Sequence, residues 1–334
     1  MAVNFPQIVA HLGGVDWPAR VGRCRASDHG ITPPNRGSQH VDTDCRMNAA
    51  GITVDEVRAS NPELRPALKW AGGKTQLIPQ LDEVAPGAFG KYIEPFIGGG
   101  AYFLHLNPPA AVISDSNAEL INMYQAIAST PADVAAVLEL KPKDSDSFYA
   151  VRRQDWKSLT PAEAAARTIY LNRLCFNGLF RVNRRGEFNV PFGRYKNPLF
   201  PGRAALEVLS ATLRRTVIVH GDYKSVLATH AAAGDFVFLD PPYIPVGEYS
   251  DFKRYTAKQF RDEDHRELAA EVARLVDLGC SVVLTNSNHP LVYELYSRFE
   301  IRVVKTRRNI NSAGNRRQGE DVIVVANATT AKRK

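Results

Sequence analysis

The sequence predicts an α/β fold in which a mainly parallel sheet is interrupted by a smaller inserted segment. From Ala67 onward, apolar stretches typical of strands alternate with amphipathic stretches typical of helices, which is the pattern of a parallel sheet covered by helices. Between residues 131 and 211 this alternation stops, and a helical stretch is followed by loop and hairpin signals. The chain has 334 residues, of which 44% are hydrophobic and 23% charged, so it can bury a sizeable core.

The predicted strands are short, and several of them end beside polar residues. The strands of the parallel part are predicted over 91–95, 111–114, 217–219, 236–239 and 281–285. Two final strands, over 302–306 and 321–326, flank a polar turn region and are predicted to pair antiparallel. Ligands of such sheets bind at the carboxyl ends of the parallel strands, so candidate site residues are sought there.

Helices are predicted over 118–129, 161–174 and 262–278, the second of them inside the inserted segment. The apolar residues at helical spacing in the first and third are Leu120, Ile121, Tyr124, Ile127, Leu268, Val272, Leu275 and Val276.

The N-terminal part of the chain lacks this organisation. Residues 1–62 contain Pro33-Pro34, scattered glycines and no sustained period, and they are predicted to form a disordered leader with a short helix over 53–60. Met47 offers an alternative start. The predicted division is a sheet-containing domain formed by 63–130 and 212–327, an inserted domain over 131–211, and a disordered basic tail over 328–334.

Composition restricts the class of protein. No apolar run reaches the roughly 18 residues of a membrane span, and the first residues lack a secretory signal. Four cysteines are too few for a disulfide scaffold. We therefore expect a cytoplasmic protein, and a monomer. Cys24, His29, His40 and Cys45 are residue types that suit zinc, but their spacing matches no standard finger, and we expect no metal. The net charge of +7 is compatible with a polyanionic partner.

A glycine-rich loop follows the first strand of the predicted parallel sheet. The residues Glu94-Pro95-Phe96-Ile97-Gly98-Gly99-Gly100 would let the backbone approach a ligand closely, because glycine has no Cβ. Asp115 ends the next strand, where an acidic residue would accept hydrogen bonds from the ribose of a nucleoside ligand. A role for Asp115 as a helix N-cap is an equally good interpretation at this point.

A second motif, Leu239-Asp240-Pro241-Pro242-Tyr243, ends a predicted strand. The two prolines remove two backbone donors and stiffen the turn, so that its carbonyl groups project as fixed acceptors. Asp240 and the Pro241 carbonyl could accept both N–H bonds of an exocyclic amine and localise its lone pair toward a methyl donor. Tyr243 would stack on a base flipped out of a helix. A rigid turn without chemistry is the alternative.

A third motif, Leu68-Lys69-Trp70-Ala71-Gly72-Gly73-Lys74, contains small residues that allow close backbone approach. Trp70 and Lys74 could contact a ligand's aromatic ring and carboxylate, and a plain turn before a helix is the alternative.

Residues 173–203 carry seven Lys or Arg and one acidic residue, a net charge of +6, together with Phe176, Phe180, Phe188, Phe192, Tyr195 and Phe200. Basic groups would neutralise phosphates, and the aromatic side chains could fill the gap that a flipped base leaves, so this segment predicts a nucleic-acid contact.

Over about residues 66–327 the chain resembles the Dam-type DNA adenine methyltransferases of the D12 class and alpha group, which have these motifs in the same order. The resemblance implies a Rossmann-like S-adenosylmethionine-dependent methyltransferase sheet with an inserted, mainly helical and hairpin-containing DNA-recognition domain. It implies catalytic roles for Asp240, Pro241, Pro242 and Tyr243. The cofactor residues that it implies are Trp70, Lys74, Phe96, Gly98, Gly99, Gly100, Asp115, Asp222, Tyr223 and Asp240.

The stretch from Arg173 to Tyr195 resembles the recognition hairpin of the same family. By this resemblance Arg181 would recognise a guanine, Leu179 and Pro191 would make apolar contacts to a thymine edge, and Phe176 with Asn177 would occupy the vacated stack. Arg194 and Tyr195 complete the implied DNA-binding set. The resemblance implies double-stranded DNA as partner and the adenine of GATC as target.

Three other functions remain open from the sequence: a cytosine-N4 methyltransferase, a DNA-binding relative without catalysis and an RNA methyltransferase. Whether the enzyme belongs to a restriction-modification pair or acts alone is also open.

Overall fold

The computed structural model describes residues 52–53, 64–70, 72–183, 185–246, 260–307 and 318–331, all within one compact unit, Ala49–Lys334. The leader up to Gly51 and from Val54 to Pro62, the hypothesis of a metal site at Cys24, His29, His40 and Cys45, and the last three residues of the tail lie outside the described residues.

The strands are short, as the sequence predicts. They are β1 (Ile52–Thr53), β2 (Ala88–Phe89), β3 (Tyr92–Glu94), β4 (Ala111–Asp115), β5 (Thr216–His220), β6 (Phe236–Leu239), β7 (Ser281–Ser287), β8 (Glu300–Arg307) and β9 (Gln318–Ala326).

A seven-stranded sheet forms the centre of this unit, in the order β5-β4-β3-β6-β7-β9-β8. The pairs from β5 to β7 are parallel, whereas β9 pairs antiparallel with both β7 and β8. β3, β4 and β6 consist almost entirely of buried residues, as expected for strands covered on both faces. The predicted Rossmann-like α/β fold and its antiparallel terminal pair are confirmed.

Helices flank the sheet and fill the interval between β4 and β5. They are α1 (Ile78–Asp82), α2 (Ala101–Leu106), α3 (Ala118–Ser129), α4 (Pro131–Glu139), α5 (Ser145–Arg153), α6 (Pro161–Leu174), α7 (Arg203–Leu213), α8 (Tyr223–His230), α9 (Asp262–Leu278) and α10 (Pro290–Leu295). Within the part of the chain that the structure describes, none of these helices is both long and apolar enough to cross a membrane.

Local capping explains why α3, α6 and α9 have the predicted bounds. The Asn117 side chain accepts hydrogen bonds from the first turn of α3. Thr160 and Glu163 form a reciprocal capping box around the first turn of α6, and Pro161 occupies its first position. α9 ends at Gly279, whose φ of 97° is left-handed and therefore favours glycine.

Two end segments differ from the prediction of disorder. Ile52 and Thr53, predicted as leader and start of a short helix, form β1 and pair antiparallel with β2. The backbone groups of these two residues find their hydrogen-bond partners in β2, which is far away in the sequence, so a local sequence pattern does not indicate this pairing. At the other end, residues 328–331 form a turn because the Asn327 side chain accepts hydrogen bonds from the N–H groups of Thr329 and Thr330.

A buried ion pair joins α6 to α3. The Arg167 guanidinium lies 2.5 Å from the Glu119 carboxylate, and the Thr168 hydroxyl donates to the same carboxylate at 3.0 Å. Burial raises the pKa of Glu119 above its usual value, although Arg167 opposes this shift. Since Arg167 also donates to the Val151 and Arg152 carbonyl oxygens, it ties α5 and α6 to the helix that packs on the sheet.

We predict that Glu119→Ala lowers the free energy of unfolding by about 3–5 kcal/mol, because it leaves the buried guanidinium of Arg167 without its partner. Chemical denaturation measures the change. Glu207→Ala is the control, because it removes an exposed pair with Arg203 and should cost about 1 kcal/mol or less. Equal losses in the two variants would contradict the importance of the buried pair.

Candidate active site

The carboxyl ends of β3, β4 and β6 meet at one edge of the sheet. β3 lies between β4 and β6, and the chain leaves β3 toward β4 while β6 occupies its other side. This is a topological switch point, where doubly wound sheets open a crevice. The three sequence motifs predicted to bind a ligand all reach this edge.

The loop after β3 approaches Trp70 so closely that side chains are excluded. A Cβ on Gly98 would lie 2.8 Å from Trp70 Nε1, and one on Gly99 would lie 2.6 Å from Trp70 Cβ. Gly98 and Gly100 also have left-handed φ values of 46° and 67°. The Tyr124 hydroxyl donates to the Gly98 carbonyl oxygen at 2.8 Å and fixes the loop from α3.

Asp115, at the end of β4, holds the same loop. Its carboxylate accepts hydrogen bonds from Gly98 N at 3.2 Å and from Asn117 N at 2.9 Å. Asn117, and not Asp115, is the N-cap of α3, so the alternative interpretation of Asp115 as a cap is wrong. Burial raises the pKa of Asp115 to about 6, although the backbone donors oppose this shift.

Asp240, directly after β6, is held on both oxygens. Lys74 Nζ lies 2.6 Å from Oδ2, and the Thr285 hydroxyl donates to Oδ1 at 2.7 Å. Burial alone would lower the pKa of Lys74, but the Asp240 carboxylate outweighs it and raises that pKa above its usual value. Lys74 is therefore a cation, and it also donates to the Gly72 carbonyl oxygen at 2.7 Å.

The loop after Asp240 is anchored to β7. Pro241 and Pro242 have no N–H to continue the strand ladder, which ends β6 at this point. Asn286 accepts a hydrogen bond from Ile244 N at 3.0 Å, and the Ser287 hydroxyl donates to Ile244 O at 2.7 Å. The Tyr243 ring is held between these anchors, with Lys74 Nζ 4.8 Å from its centroid.

Glu94 places a further carboxyl group beneath the site. It is buried, and the Tyr92 hydroxyl donates to it at 2.8 Å. Burial raises the pKa of Glu94 well above its usual range, and Asp240 adds to the shift while Lys74 opposes it.

The remaining predicted cofactor residues, Phe96, Asp222 and Tyr223, meet near the start of α8. The Phe96 ring packs against Tyr223 with centroids 5.2 Å apart, and both pack against Phe260. The Asp222 carboxylate accepts a hydrogen bond from Lys224 N at 2.9 Å and caps α8. The structure thus brings Phe96 and Tyr223 together, whereas the Asp222 carboxylate binds the first turn of α8.

A hairpin follows α6, as the sequence predicts. Val182 faces Phe188 across an antiparallel bridge, and Cys175 faces Phe192. Within the hairpin the Arg181 guanidinium donates from Nε to the Asn189 side chain at 2.8 Å. This bond orients Arg181 and leaves its other N–H groups available for a planar acceptor.

The predicted DNA-binding residues occupy different positions around this hairpin. Phe176 is 42% exposed, and its neighbour Asn177 has a left-handed φ of 55°. Asparagine is one of the few residues besides glycine that adopt this conformation readily, so Asn177 fits the tight turn that presents Phe176. Pro191 and Arg194 are exposed, and Leu179 is half-buried. Tyr195 is also half-buried, and Lys69 Nζ lies 4.9 Å from the centroid of its ring.

Two of the six aromatic side chains of this segment are core residues, so these two are not available to fill a base gap. Phe180 and Phe188 are buried and pack edge to face, with centroids 5.5 Å apart. Phe192 and Phe200 pack against Phe148 and Tyr170. Among the six, Phe176 is the one that the structure exposes, whereas the others are buried or half-buried against the hairpin, the neighbouring helices or Lys69.

Several supporting residues were not among the predicted site residues: Thr285, Asn286, Tyr124, Asn172, Asn189 and Glu94. All but Asn286 are buried or half-buried polar residues within apolar stretches, and that anomaly is the signal by which the sequence could have indicated them. Asn286 has polar neighbours in the sequence and carries no such signal.

The family model for D12 class N6 adenine-specific DNA methyltransferases matches residues 70–310. The type II methyltransferase M1.LlaDCHI of Lactococcus lactis subsp. cremoris is 39% identical over 272 residues, which cover 79% of this chain and 95% of that protein. The type II methyltransferase M.MjaIII of Methanocaldococcus jannaschii is 36% identical over 281 residues, covering 77% and 96%. The DNA adenine methylase of Escherichia coli K12 is 35% identical over 264 residues, covering 78% and 94%.

The chain therefore belongs to the D12 class of N6 adenine-specific DNA methyltransferases. Its substrate is DNA, and it transfers a methyl group from a donor to the N6 atom of adenine. This family membership argues against the cytosine-N4 and RNA alternatives.

We predict that Thr285→Val lowers kcat by roughly tenfold or more, because the charged Asp240 loses a hydrogen bond of about 1.5–3 kcal/mol. Steady-state methylation of a DNA duplex measures the change. Thr285→Ser retains the hydroxyl and should keep most of the activity. If the Ser and Val variants lost activity equally, the hydrogen bond to Asp240 would not be the cause.

Proposed function

We propose that this enzyme uses S-adenosylmethionine to methylate the adenine of GATC in double-stranded DNA. The observation that carries the proposal is the position of Asp240. It ends β6 beside the loop Gly98–Gly100, and Lys74 and Thr285 hold its two oxygens.

The residues at the switch point fit S-adenosylmethionine. Glycine at 98 and 99 lets Trp70 pack directly on the backbone of this loop, which places the Trp70 side chain beside the crevice. Asp115 would accept hydrogen bonds from the ribose hydroxyls, and Trp70 and Lys74 would contact the rest of the donor. Half-buried Phe96 offers apolar ring surface for an adenine, and buried Tyr223 supports it from behind. The bound cofactor would supply an electrophilic methyl group on a sulfonium.

Asp240 would act by orienting the target amine. The carboxylate and the Pro241 carbonyl oxygen are fixed acceptors for the two N–H bonds of N6, which localises the nitrogen lone pair. Because Lys74 already lies on Oδ2, the amine would share or replace that contact. Tyr243 would stack on the flipped adenine.

The hairpin would select the site. Asn189 fixes Arg181 so that its guanidinium can form two hydrogen bonds with guanine O6 and N7. Exposed Phe176, beside the left-handed Asn177, is suited to enter the stack that the adenine leaves. In this proposal residues 131–211 form the recognition domain, and Leu179, Pro191, Arg194 and Tyr195 contribute further contacts to DNA.

We predict that the affinity for S-adenosylmethionine falls as the pH drops below about 6. Burial raises the pKa of Asp115 to about 6, so the carboxylate that accepts the ribose hydrogen bonds is charged above this pH and protonated below it. Calorimetric titration between pH 5 and 8 measures the effect. Asp115→Asn should bind weakly at every pH.

His220 is a titratable neighbour of Asp115, since the two residues pair in register across β4 and β5. His220→Gln is therefore the control: it should keep the fall in affinity but move its midpoint to higher pH, because His220 lowers the pKa of Asp115. A flat profile in the His220 variant would assign the effect to the histidine instead.

We predict that Arg181→Ala lowers kcat/KM on GATC by about 10- to 100-fold, from a loss of about 1–3 kcal/mol, and relaxes the choice of one base. Sequencing that detects N6-methyladenine, on a duplex library with every one-base change of GATC, measures both effects.

Arg185→Ala, at the exposed turn of the same hairpin, is the control. Arg185 is placed to contact phosphate, so its loss should weaken methylation of all sequences equally. Equal methylation of GATC and altered sites by the unmodified protein would overturn the assignment of GATC.

A further inference from the structure

The segment of residues 66–70 lies between the loop Gly98–Gly100 and the hairpin, and no strand among the described residues pairs with it. Two consecutive side chains at the end of α6 bind its backbone instead. Asn172 accepts a hydrogen bond from Lys69 N at 2.7 Å and donates to Lys69 O at 3.3 Å. Arg173 donates to Ala67 O at 2.8 Å and to Pro66 O at 3.1 Å.

Asn172 also holds the start of the hairpin. Its amide donates to Gly178 O at 3.1 Å, so both of its donor hydrogens and its acceptor are used within the protein. The side chain is fully buried, which makes each of these bonds costly to lose. Gly178 itself packs against Lys69, since a Cβ there would collide with the Lys69 carbonyl oxygen.

The residue after Lys69 extends this contact to both ligand sites. Trp70 packs on the backbone of Gly98 and Gly99 on one side and stacks on Phe180, with ring centroids 5.3 Å apart, on the other. Phe180 directly precedes Arg181. A displacement of Lys69 and Trp70 therefore displaces both the cofactor loop and the hairpin, because tightly packed interiors transmit strain.

We propose that Asn172 is a positioning residue that couples the cofactor site to the DNA-recognition hairpin. This inference rests on the proposed function, since it takes the cofactor to bind at Gly98–Gly100 and DNA to bind at the hairpin. Each ligand would bind an element that packs on the shared segment of residues 66–70, so a shift of this segment on binding one ligand reaches the site of the other. Thermodynamic linkage makes the effect reciprocal, so each ligand tightens the other by the same factor.

The test compares Asn172→Asp with Thr168→Val. Asn172→Asp keeps the shape of the side chain and the acceptor for Lys69 N, but it replaces the donor group that serves Lys69 O and Gly178 O by an oxygen. Thr168→Val is the control, because Thr168 is equally buried on the same helix and bonds to Glu119 and Ala164, away from residues 66–70. Phe180→Leu is a second test variant that keeps apolar volume but removes the ring stacked on Trp70.

The measurement is the dissociation constant of S-adenosylhomocysteine, which cannot react, with and without a duplex that the enzyme methylates. In the unmodified protein and in Thr168→Val, the duplex should tighten binding by about fivefold or more. In Asn172→Asp and Phe180→Leu the ratio should approach one. The affinity for the duplex, measured with and without S-adenosylhomocysteine, should give the same ratios: about fivefold in the unmodified protein and in Thr168→Val, and close to one in Asn172→Asp and Phe180→Leu. Thermal melting of each variant reports folding separately.

A ratio of one in the unmodified protein would overturn the coupling, and so would an unchanged ratio in both Asn172→Asp and Phe180→Leu. Failure of the unmodified protein to bind S-adenosylhomocysteine would overturn the proposed cofactor together with the coupling. If the enzyme methylated a sequence other than GATC, the proposed target would be overturned. A ratio of about five or more on a duplex with that other sequence would still support the coupling.

Discussion

The parallel pairing of β3 with β6 is the constraint on which the rest of the site depends. It places the glycine-rich loop and Asp240 at the same edge of the sheet, although they lie far apart in the chain. Since β4 occupies the other side of β3, Asp115 joins them at that edge. Parallel strands impose this arrangement because their carboxyl ends point the same way, so a ligand that spans the crevice meets all three elements.

Electrostatics within this crevice explain why so many supporting polar residues are buried. Asp240 and Glu94 lie close together in a poorly solvated region, where two negative charges would be unfavourable. Lys74 neutralises Asp240, and the raised pKa of Glu94 favours its protonated form. Thr285 adds a hydrogen bond to the remaining oxygen of Asp240. The carboxylate is therefore held as a fixed acceptor, which suits the orientation of an amine better than the removal of a proton.

The hairpin after α6 is connected to the same crevice by a segment without regular structure, residues 66–70. Asn172 and Arg173 supply residues 66–70 with the hydrogen bonds that a neighbouring strand would otherwise provide. The loop Gly98–Gly100 and the hairpin consequently both pack on this segment, and Trp70 contacts both. A separate domain connected only by a flexible linker would not transmit a change from one site to the other.

The sequence by itself determined the elements whose signals are local: α3, α6 and α9 have the predicted bounds because periodicity and caps such as Thr160 and Gly279 act within one turn. The motif order likewise determined the family. Where two chemically similar residues stand close together in the sequence, only the tertiary structure decided which of them has a given role. Asp115 binds Gly98, whereas Asn117 caps α3, and Phe180 is buried, whereas Phe176 is exposed. Asn172 was not predicted for the same reason: its partners, Lys69 and Gly178, meet only when the chain folds, and periodicity carries no information about such contacts.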